Sequence, residues 1–202
     1  MTDNQPERLI IISGPSGVGK TTCVRRLLAE CPLPLELSVS ATTRPMREGE
    51  TDGVNYHYLT DEQFQEHRRN SDFLEAVEVF GKGHWYGTLK KTVKERLAAG
   101  KWLILEIDVE GASRVVDLHP DAITIFLHPG SLEELERRLR GRGTESEEAI
   151  QTRLGVASRE LDASGKYKHI VINETIDQTV NDLCSLLKTF QNEHGEQTCT
   201  TN

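Results

Sequence analysis

Residues 14–21 carry the most recognisable chemistry in this sequence, because Gly14-Pro-Ser-Gly-Val-Gly-Lys-Thr21 follows the pattern Gly-x-x-x-x-Gly-Lys-Ser/Thr. Glycines permit positive φ values, which turn successive backbone N–H groups toward one point and create an anion site at a helix start. Lys20 places a positive charge on the outer phosphates, and the Thr21 hydroxyl is a suitable magnesium ligand. The pattern therefore predicts a phosphate-binding loop (P-loop). It leaves open a GTPase, a motor ATPase or a small-molecule kinase.

A second set of polar residues could hold the acceptor of a phosphoryl group. Arg44 and Arg47 lie three residues apart in a segment without acidic residues, so both guanidinium groups can converge on one phosphate. Further along the chain come the hydroxyl of Tyr56 and the carboxylate of Glu75. Such side chains suit a nucleoside monophosphate, with its phosphate on arginine and tyrosine and its base on the carboxylate. The alternative is a solvated loop whose charges have no role.

Short apolar runs alternate with helical patterns along the chain, which is typical of a parallel sheet covered by helices. The P-loop follows the first run and opens a helix, the context that its chemistry requires. β-branched residues are frequent in the runs and polar residues lie mostly at their ends, so we expect strands buried on both faces. The five predicted strands are Leu9–Ile12, Leu35–Val39, Trp102–Ile107, Ala122–Leu127 and His169–Ile172.

Residues 40–88 interrupt this alternation with polar, aromatic and arginine side chains. Tyr56–Tyr58 and Phe73–Phe80 are predicted to form short antiparallel strands, so we expect a small α+β lobe inserted into an α/β core. Capping-box patterns predict helix starts at Thr60, Ser131, Thr144 and Thr175.

A third group of residues predicts a lid. Arg138 and Arg142 lie at the end of one predicted helix and Arg153 lies on the next, with the flexible Gly141-Arg-Gly143 between them. The alternative is a solvated helix face, on which these arginines pair with neighbouring glutamates.

Composition excludes several other classes. With 24 Lys and Arg against 32 Asp and Glu, the 202-residue chain has a net charge of −8, so we expect no nucleic-acid partner. The four cysteines lack metal-ligand spacing and are expected to be reduced or incidental thiols. No signal-peptide pattern and no membrane-spanning apolar run occur, so a cytoplasmic protein without a membrane contact is expected. Nothing in the sequence indicates an oligomeric state.

Six segments occur in a characteristic order: Ile12–Thr21, Ser38–Arg44, Gly49–Tyr56, Tyr86–Thr88, Leu105–Gly111 and Arg138–Glu145. Together they resemble the guanylate kinase family, P-loop kinases that phosphorylate GMP with ATP, from residue 8 to about residue 190. The resemblance implies a single α/β domain over residues 1–202, with a three-layer P-loop core and a parallel five-stranded sheet. It places the core in residues 8–39, 89–135 and 165–191, an inserted α+β GMP-binding lobe in residues 40–88, and a small helical lid in about 136–164.

The resemblance also implies the reaction, in which ATP and GMP give ADP and GDP with Mg²⁺, and the residues that perform it. The catalytic residues that the resemblance implies are Lys20, Arg44, Arg138, Arg142 and Arg153. ATP is contacted by Gly14, Pro15, Ser16, Gly17, Val18, Gly19, Lys20, Thr21 and Asn173, with Thr21 also on Mg²⁺. GMP is contacted by Ser40, Arg44, Arg47, Tyr56, Glu75, Tyr86, Thr88 and Asp108.

The chemistry of guanine supports the assignment of Glu75 independently. Guanine presents two adjacent donors, N1–H and N2–H₂, which one carboxylate can accept together, whereas adenine has a lone pair in place of N1–H. For Asp108 two roles stay open. It follows a predicted strand where the second acidic residue of a P-loop fold occurs, so it could organise Mg²⁺, contact the base, or do both.

Two other functions are compatible with a P-loop of this kind. A kinase acting on a ribose phosphate would have no need of Ser40, Glu75 and Thr88, and a non-catalytic scaffold on the same fold would not need Lys20. A regulatory GTPase is disfavoured because no Asn-Lys-x-Asp motif follows a later strand. The segment from Gly81 to Tyr86 is longer than the family's usual turn, and His84 within it is expected to be structural or incidental.

Overall fold

A computed structural model describes residues 8–78, 83–141 and 146–195. The strands are β1 (Leu9–Ser13), β2 (Leu35–Leu37), β3 (Ala41–Thr42), β4 (His57–Tyr58), β5 (Phe73–Glu78), β6 (Trp85–Leu89), β7 (Trp102–Glu106), β8 (Ile123–His128) and β9 (His169–Ile172). The helices are α1 (Lys20–Glu30), α2 (Asp61–Arg69), α3 (Lys90–Ala98), α4 (Val109–Leu118), α5 (Leu132–Arg140), α6 (Glu147–Asp162) and α7 (Ile176–Gly195).

The main sheet has five parallel strands in the order β2-β7-β1-β8-β9, which confirms the predicted fold class and all five predicted strands. β1 lies at the centre and every one of its residues is buried. Burial on both faces was the wrong expectation for β9, where Ile170 and Ile172 are each 50% exposed. Ile170 and Ile172 point to the face opposite that of Val171, and unlike Val171 they belong to neither apolar cluster of the main sheet.

Two apolar layers cover the sheet, because alternate residues of β1 point to opposite faces. Ile10 and Ile12 belong to the cluster formed with α1 and α7. Leu9 and Ile11 belong to the cluster formed with α3 and α4. The P-loop therefore leaves the carboxyl end of a fully packed central strand, and the core on both sides holds its position.

A second, four-stranded sheet has the order β4-β3-β6-β5. The antiparallel prediction is confirmed for β5, which pairs with β6, although the predicted strand continued into residues 79–80, outside the described residues. It is wrong for β4, which runs parallel to β3. The chain between β3 and β4 is a long loop, and a long connection can return the chain so that the second strand runs in the same direction as the first.

Most predicted helix caps are present. Thr60 forms the full capping box with Gln63, and Ser131 accepts a hydrogen bond from the backbone N–H of Glu134. Thr175 accepts from the N–H of Gln178 at 3.3 Å. Thr144 lies outside the described residues, and Ser146 caps α6. Helices α5 and α6 then pack on each other through a separate apolar cluster.

Two of the cysteines form a disulfide, so the expectation of thiols is wrong for Cys31 and Cys184. Cys31 follows α1 and Cys184 lies on α7, and these helices pack side by side on one face of the sheet. Their Cα atoms are 5.6 Å apart although 153 positions separate them in sequence. Cys23 is a free, buried thiol, as expected. Among the described helices, none is both long and apolar enough to cross a membrane.

Candidate active site

The loop between β1 and α1 has the backbone conformation that its glycines predict. Gly14, Gly17 and Gly19 have φ values of 142°, 97° and 101°, a region that L side chains rarely adopt. A Cβ atom at Gly14 would also collide with the carbonyl oxygen of Leu127 on β8. The sheet thus packs directly against this loop, which leads into the amino-terminal end of α1, where helix N–H groups favour an anion.

Lys20 and Thr21 lie at the start of α1 beside an acidic residue that sequence reasoning missed. Lys20 Nζ donates to the carbonyl oxygen of Gly14 at 2.5 Å. Thr21 Oγ1 donates to Glu106 Oε1, also at 2.5 Å. Burial lowers the pKa of Lys20 and raises that of Glu106, and the attraction between the two charges opposes both shifts. Glu106, rather than Asp108, is therefore the acidic residue next to the P-loop hydroxyl.

The register of the main sheet explains why Glu106 was not predicted from the sequence. The third predicted strand extends to Ile107, so the acidic residue that follows it is Asp108. In the structure β7 ends at Glu106, which is aligned with Ile12 of β1, two residues before the P-loop. The acidic residues at positions 106 and 108 share a face of an extended segment, because they are two residues apart. This spacing was the signal in the sequence that Glu106, as well as Asp108, could lie beside the P-loop.

Arg44 follows β3 and is 9% exposed. Its Nη2 atom lies 2.7 Å from Glu50 Oε1, and its guanidinium lies over the ring of Tyr56. Glu50 also accepts hydrogen bonds from the Tyr58 hydroxyl and the backbone N–H of Arg47. The hydrogen bond from Arg44 is the main reason that the pKa of Glu50 falls to about 2. Glu50, which sequence reasoning also missed, holds the Arg44 guanidinium in place.

Two tyrosines line the cleft beside Arg44. The rings of Tyr56 and Tyr86 are 5.7 Å apart in an edge-to-face arrangement. Burial raises the pKa of Tyr56 to about 12, so its hydroxyl stays protonated near neutral pH. Two phenolic donors and one guanidinium thus lie together in the lobe.

Glu75 and Asp108 form a carboxylate pair at the other side of the cleft. Thr88 Oγ1 on β6 donates to Glu75 Oε1 at 2.7 Å, and the backbone N–H of Gly111 donates to Asp108 Oδ1 at 2.7 Å. A Cβ atom at Gly111 would lie 3.0 Å from Glu75 Oε2 and 3.2 Å from Asp108 Oδ1. Glycine at this position therefore allows the close approach of Glu75 to the start of α4.

Glu75 is 5% exposed, and its environment changes its ionisation. Burial raises the pKa of Glu75 to about 7, the Thr88 hydroxyl opposes the rise, and the negative charge of Asp108 adds to it. Burial likewise raises the pKa of Asp108, against the hydrogen bond from Gly111. A buried carboxylate that has spare acceptor capacity suits a ligand that brings its own donors.

The cleft between the main sheet and the lobe has a volume of about 570 Å³. It brings together a subset of the residues predicted from sequence: Ser16, Lys20, Ser40, Tyr56, Glu75, Tyr86 and Asp108. Thr88 is fully buried and acts through Glu75. Arg47 is exposed and lies outside the cleft lining.

The remaining predicted residues lie elsewhere. Arg138 Nη2 donates to the backbone carbonyl of Asn173 at 2.6 Å, and Arg138 is not among the residues that line the cleft. Asn173 is 1% exposed, and its side chain donates to the carbonyl of Val18 and accepts from Thr179. The structure therefore does not bring the Asn173 side chain to an open surface. Arg142 lies outside the described residues.

Arg153, on α6, reaches the P-loop directly. Its Nη2 atom donates to Ser16 Oγ at 2.6 Å. An arginine of the predicted lid thus contacts a residue that lines the cleft.

Both the sequence and the fold are similar to those of known proteins. A model of the family described as guanylate kinase matches residues 6–190. The guanylate kinase of Rhodopirellula baltica is 53% identical over 183 residues, covering 90% of this chain and 88% of that one. The guanylate kinase of Fusobacterium nucleatum is 47% identical over 180 residues, covering 89% of this chain and 95% of that one.

Among solved structures, the crystal structure of guanylate kinase from Anaplasma phagocytophilum superimposes with a TM-score of 0.75 at 28% identity. The match covers 93% of this chain and 88% of that chain. A gluconokinase from Sinorhizobium meliloti, at 16% identity and a TM-score of 0.53, shares the fold alone. The extent of the family match and the identity to the relatives lead to one assignment: the chain belongs to the guanylate kinase family.

Proposed function

We propose that the protein transfers the γ-phosphoryl group of ATP to GMP, giving ADP and GDP, with Mg²⁺ bound beside ATP. The main supporting observation is the cleft that has Lys20 of the P-loop and the buried Glu75 carboxylate in its lining. A phosphate donor and a purine acceptor would thereby be held in one cleft. The names of the relatives agree with this reaction.

Guanine is selected by Glu75, with Asp108 beside it. Because Thr88 already occupies Glu75 Oε1, the other oxygen points to the donors of the base. The N1–H and N2–H₂ groups of guanine favour the ionised carboxylate, so GMP binding lowers the pKa of Glu75 from its raised value. Adenine presents a lone pair at N1 and leaves the carboxylate unpaired, which a site built to hydrogen-bond its substrate rejects by roughly 10⁴-fold.

The phosphate of GMP is held by Arg44, Tyr56 and Tyr86, with Arg47 added from the solvent side. Arg44 is ordered by Glu50 before any substrate binds, so little side-chain entropy is lost on binding. Ser40 lines the same cleft and contacts the base.

Transfer itself requires little covalent chemistry from the protein. The P-loop N–H groups and Lys20 hold the ATP phosphates, and the arginines of the lid, Arg138, Arg142 and Arg153, neutralise the charge that develops on the transferred group. The acceptor is already an anion, so no general base is needed, and His84 has no catalytic role. Asn173 supports ATP binding through the P-loop, since its side chain is bonded to Val18.

The residues next to the P-loop fit a magnesium ion. Thr21 offers a hydroxyl and Glu106 a carboxylate, and both are hard oxygen donors of the kind Mg²⁺ prefers. When bound, Mg²⁺ would neutralise charge on the phosphate oxygens. Thr21 would hold it and Glu106 would orient Thr21, while Asp108, bonded to Gly111 and next to Glu75, serves the base.

The test is an acceptor panel. ADP release is measured from ATP and Mg²⁺ with GMP, AMP, UMP or a ribose phosphate as acceptor. Fast turnover with GMP alone is the expected result. Turnover with the sugar phosphate alone would reject the acceptor site described here, and a folded protein that binds GMP without turnover would indicate a scaffold.

A further inference from the structure

Strand β9 has one edge that no other strand of the described residues covers. It is the last strand of the main sheet, and its pairing there is with β8. The N–H of Asn173, just after β9, donates to the carbonyl oxygen of His128 on β8. Because the backbone groups of successive residues in a strand point alternately to its two sides, those of Ile170 and Ile172 point to the open edge. β9 therefore offers backbone donors and acceptors to a further strand.

The exposed side chains along β9 form a stripe with opposite charges at its two ends. Lys168, Ile170, Ile172 and Glu174 are exposed, and the three residues between them are buried or half-buried. All four line a groove of about 610 Å³, whose other wall comes from α7. None of the four lines the catalytic cleft, so the proposed reaction does not explain why two isoleucines stay exposed side by side.

We propose that β9 pairs antiparallel with β9 of a second copy of this chain, about a two-fold axis at Val171, so that the two main sheets become continuous. Ile170 then lies opposite Ile172 of the second copy. The backbone groups of both residues point to the open edge, so each such pair can exchange both N–H···O hydrogen bonds. Two-fold symmetry repeats every contact, as a self-complementary interface requires.

The charges of the stripe favour this occupant and this register. With the axis at Val171, Lys168 lies opposite Glu174 of the second copy, and the same pair of opposite charges recurs at the other end. Sliding the strands by two residues in one direction would place Lys168 opposite Ile172. Sliding them in the other direction would place Glu174 opposite Ile170. Both alternatives set a charge against an apolar side chain and lose the ion pairs.

Lys168 is compatible with this pairing although it already has partners. Its Nζ atom donates to the carbonyl oxygens of Pro120 and Ala122, each at 2.9 Å, and an ammonium group has a third proton for a carboxylate. A lysine on an edge strand commonly prevents association of sheet edges. Here it faces a carboxylate in the second copy, so it discriminates against other strands and favours a copy of the same chain.

Sedimentation of the full chain from about 1 µM to about 1 mM tests the pairing without any nucleotide, so its result is independent of the proposed function. We expect a reversible monomer–dimer equilibrium, since a single strand pair makes a small interface. Ile170→Lys should raise the Kd of the dimer at least roughly tenfold, because each dimer loses two buried isoleucines and gains two buried charges. Leu118→Lys, at an exposed apolar residue of α4, is the matched control and should dimerise like the wild type.

Two outcomes of that experiment would overturn the proposal. A wild-type chain that stays monomeric at about 1 mM would exclude a second copy and leave the groove to a strand of another protein. An Ile170→Lys variant that dimerises as well as the wild type would show that the copies associate through another surface. Ile170 is exposed, so the Tm of this variant should stay that of the wild type.

Exchanging the charges tests the register itself. Lys168→Glu and Glu174→Lys should each weaken the dimer at least roughly tenfold, since like charges then face each other at both ends. An equimolar mixture of these two variants should form a heterodimer, because every facing pair is again of opposite sign. The double variant Lys168→Glu/Glu174→Lys should likewise recover the dimer. A mixture that stays monomeric, while the wild type dimerises, would reject this register.

Amide hydrogen exchange locates the contact on the strand. The N–H groups of Ile170 and Ile172 should exchange more slowly as the wild-type concentration rises, and those of Leu118→Lys should do the same. In Ile170→Lys the protection of Ile172 should not depend on concentration. A dimer that forms without protecting these two amides would overturn the pairing of β9 strands.

Discussion

Substituting Glu75 by glutamine tests guanine recognition at a single atom. Thr88 Oγ1 donates to Glu75 Oε1, so in Glu75→Gln the amide oxygen keeps that hydrogen bond and the NH₂ group replaces Oε2. The NH₂ group then faces the donors of guanine and can accept from neither. A hydrogen bond to a charged group contributes about 1.5–3 kcal/mol, so the two lost bonds amount to about 3 kcal/mol or more. At about 1.36 kcal/mol for each tenfold change, kcat/KM for GMP should fall roughly 150-fold.

The assay is the initial rate of ADP release with GMP or AMP as acceptor. KM for ATP should stay the same in Glu75→Gln, because the P-loop is unaffected, and AMP should become a relatively better acceptor since the new NH₂ group can donate to N1 of adenine. Tm should not fall, since burial penalises the carboxylate more than the amide. Glu66→Gln, an exposed carboxylate on α2 of the same lobe, is the control. Unchanged kinetics with GMP, or equal losses for GMP and AMP, would refute the reasoning.

Three more predictions concern the P-loop, pH and the disulfide. Lys20→Ala should reduce turnover roughly a thousandfold with the fold intact, because it removes the charge on the outer phosphates, and near-normal rates would refute the P-loop assignment. Because the pKa of Glu75 is raised from 4.5 to about 7, kcat/KM for GMP should fall as pH drops below about 7, more steeply than in Glu75→Gln. Between pH 4.5 and about 7 the Glu75 carboxyl is protonated in the folded protein and ionised in the unfolded chain, so the stability of the wild type falls as pH rises through this range. The Tm of the wild type relative to that of Glu75→Gln should therefore fall from pH 4.5 to about 7. Parallel plots of Tm against pH for the two proteins would contradict the raised pKa of Glu75. Cys184→Ser should lower the free energy of unfolding by up to about 5 kcal/mol, the closure entropy of a 153-residue separation, and denaturant melts without reductant that match the wild type would contradict the disulfide.

The parallel sheet was predictable because its signal is local in the chain. Each of the five strands is a short apolar run, and each run that was predicted is a strand of the main sheet. The exposure of side chains on the edge strand β9 was not predictable from the same signal. Ile170 and Ile172 resemble core residues in sequence, and only the packing of the layers, which leaves one face of β9 uncovered, makes them half exposed.

The small lobe shows a similar limit. The segment Phe73–Phe80 was predicted to be a short antiparallel strand, and β5 pairs with β6 in that direction. The direction of β4 depends on the course of the preceding loop, and β3 and β6 were not predicted because β3 has two residues and β6 contains Gly87. Strands this short are defined by their partners rather than by their own composition.

The sequence by itself determined the P-loop and the parallel core, and it predicted the acceptor site, because each depends on residues that are close together in the chain or on a characteristic order of motifs. Tertiary structure decided which acid lies next to Thr21, since Glu106 meets it across 85 positions through the pairing of β1 and β7. It also decided the Cys31–Cys184 bond and the contact of α6 with Ser16. These are contacts between elements far apart in sequence, and their geometry is set by how the layers pack, which no local pattern of residues records.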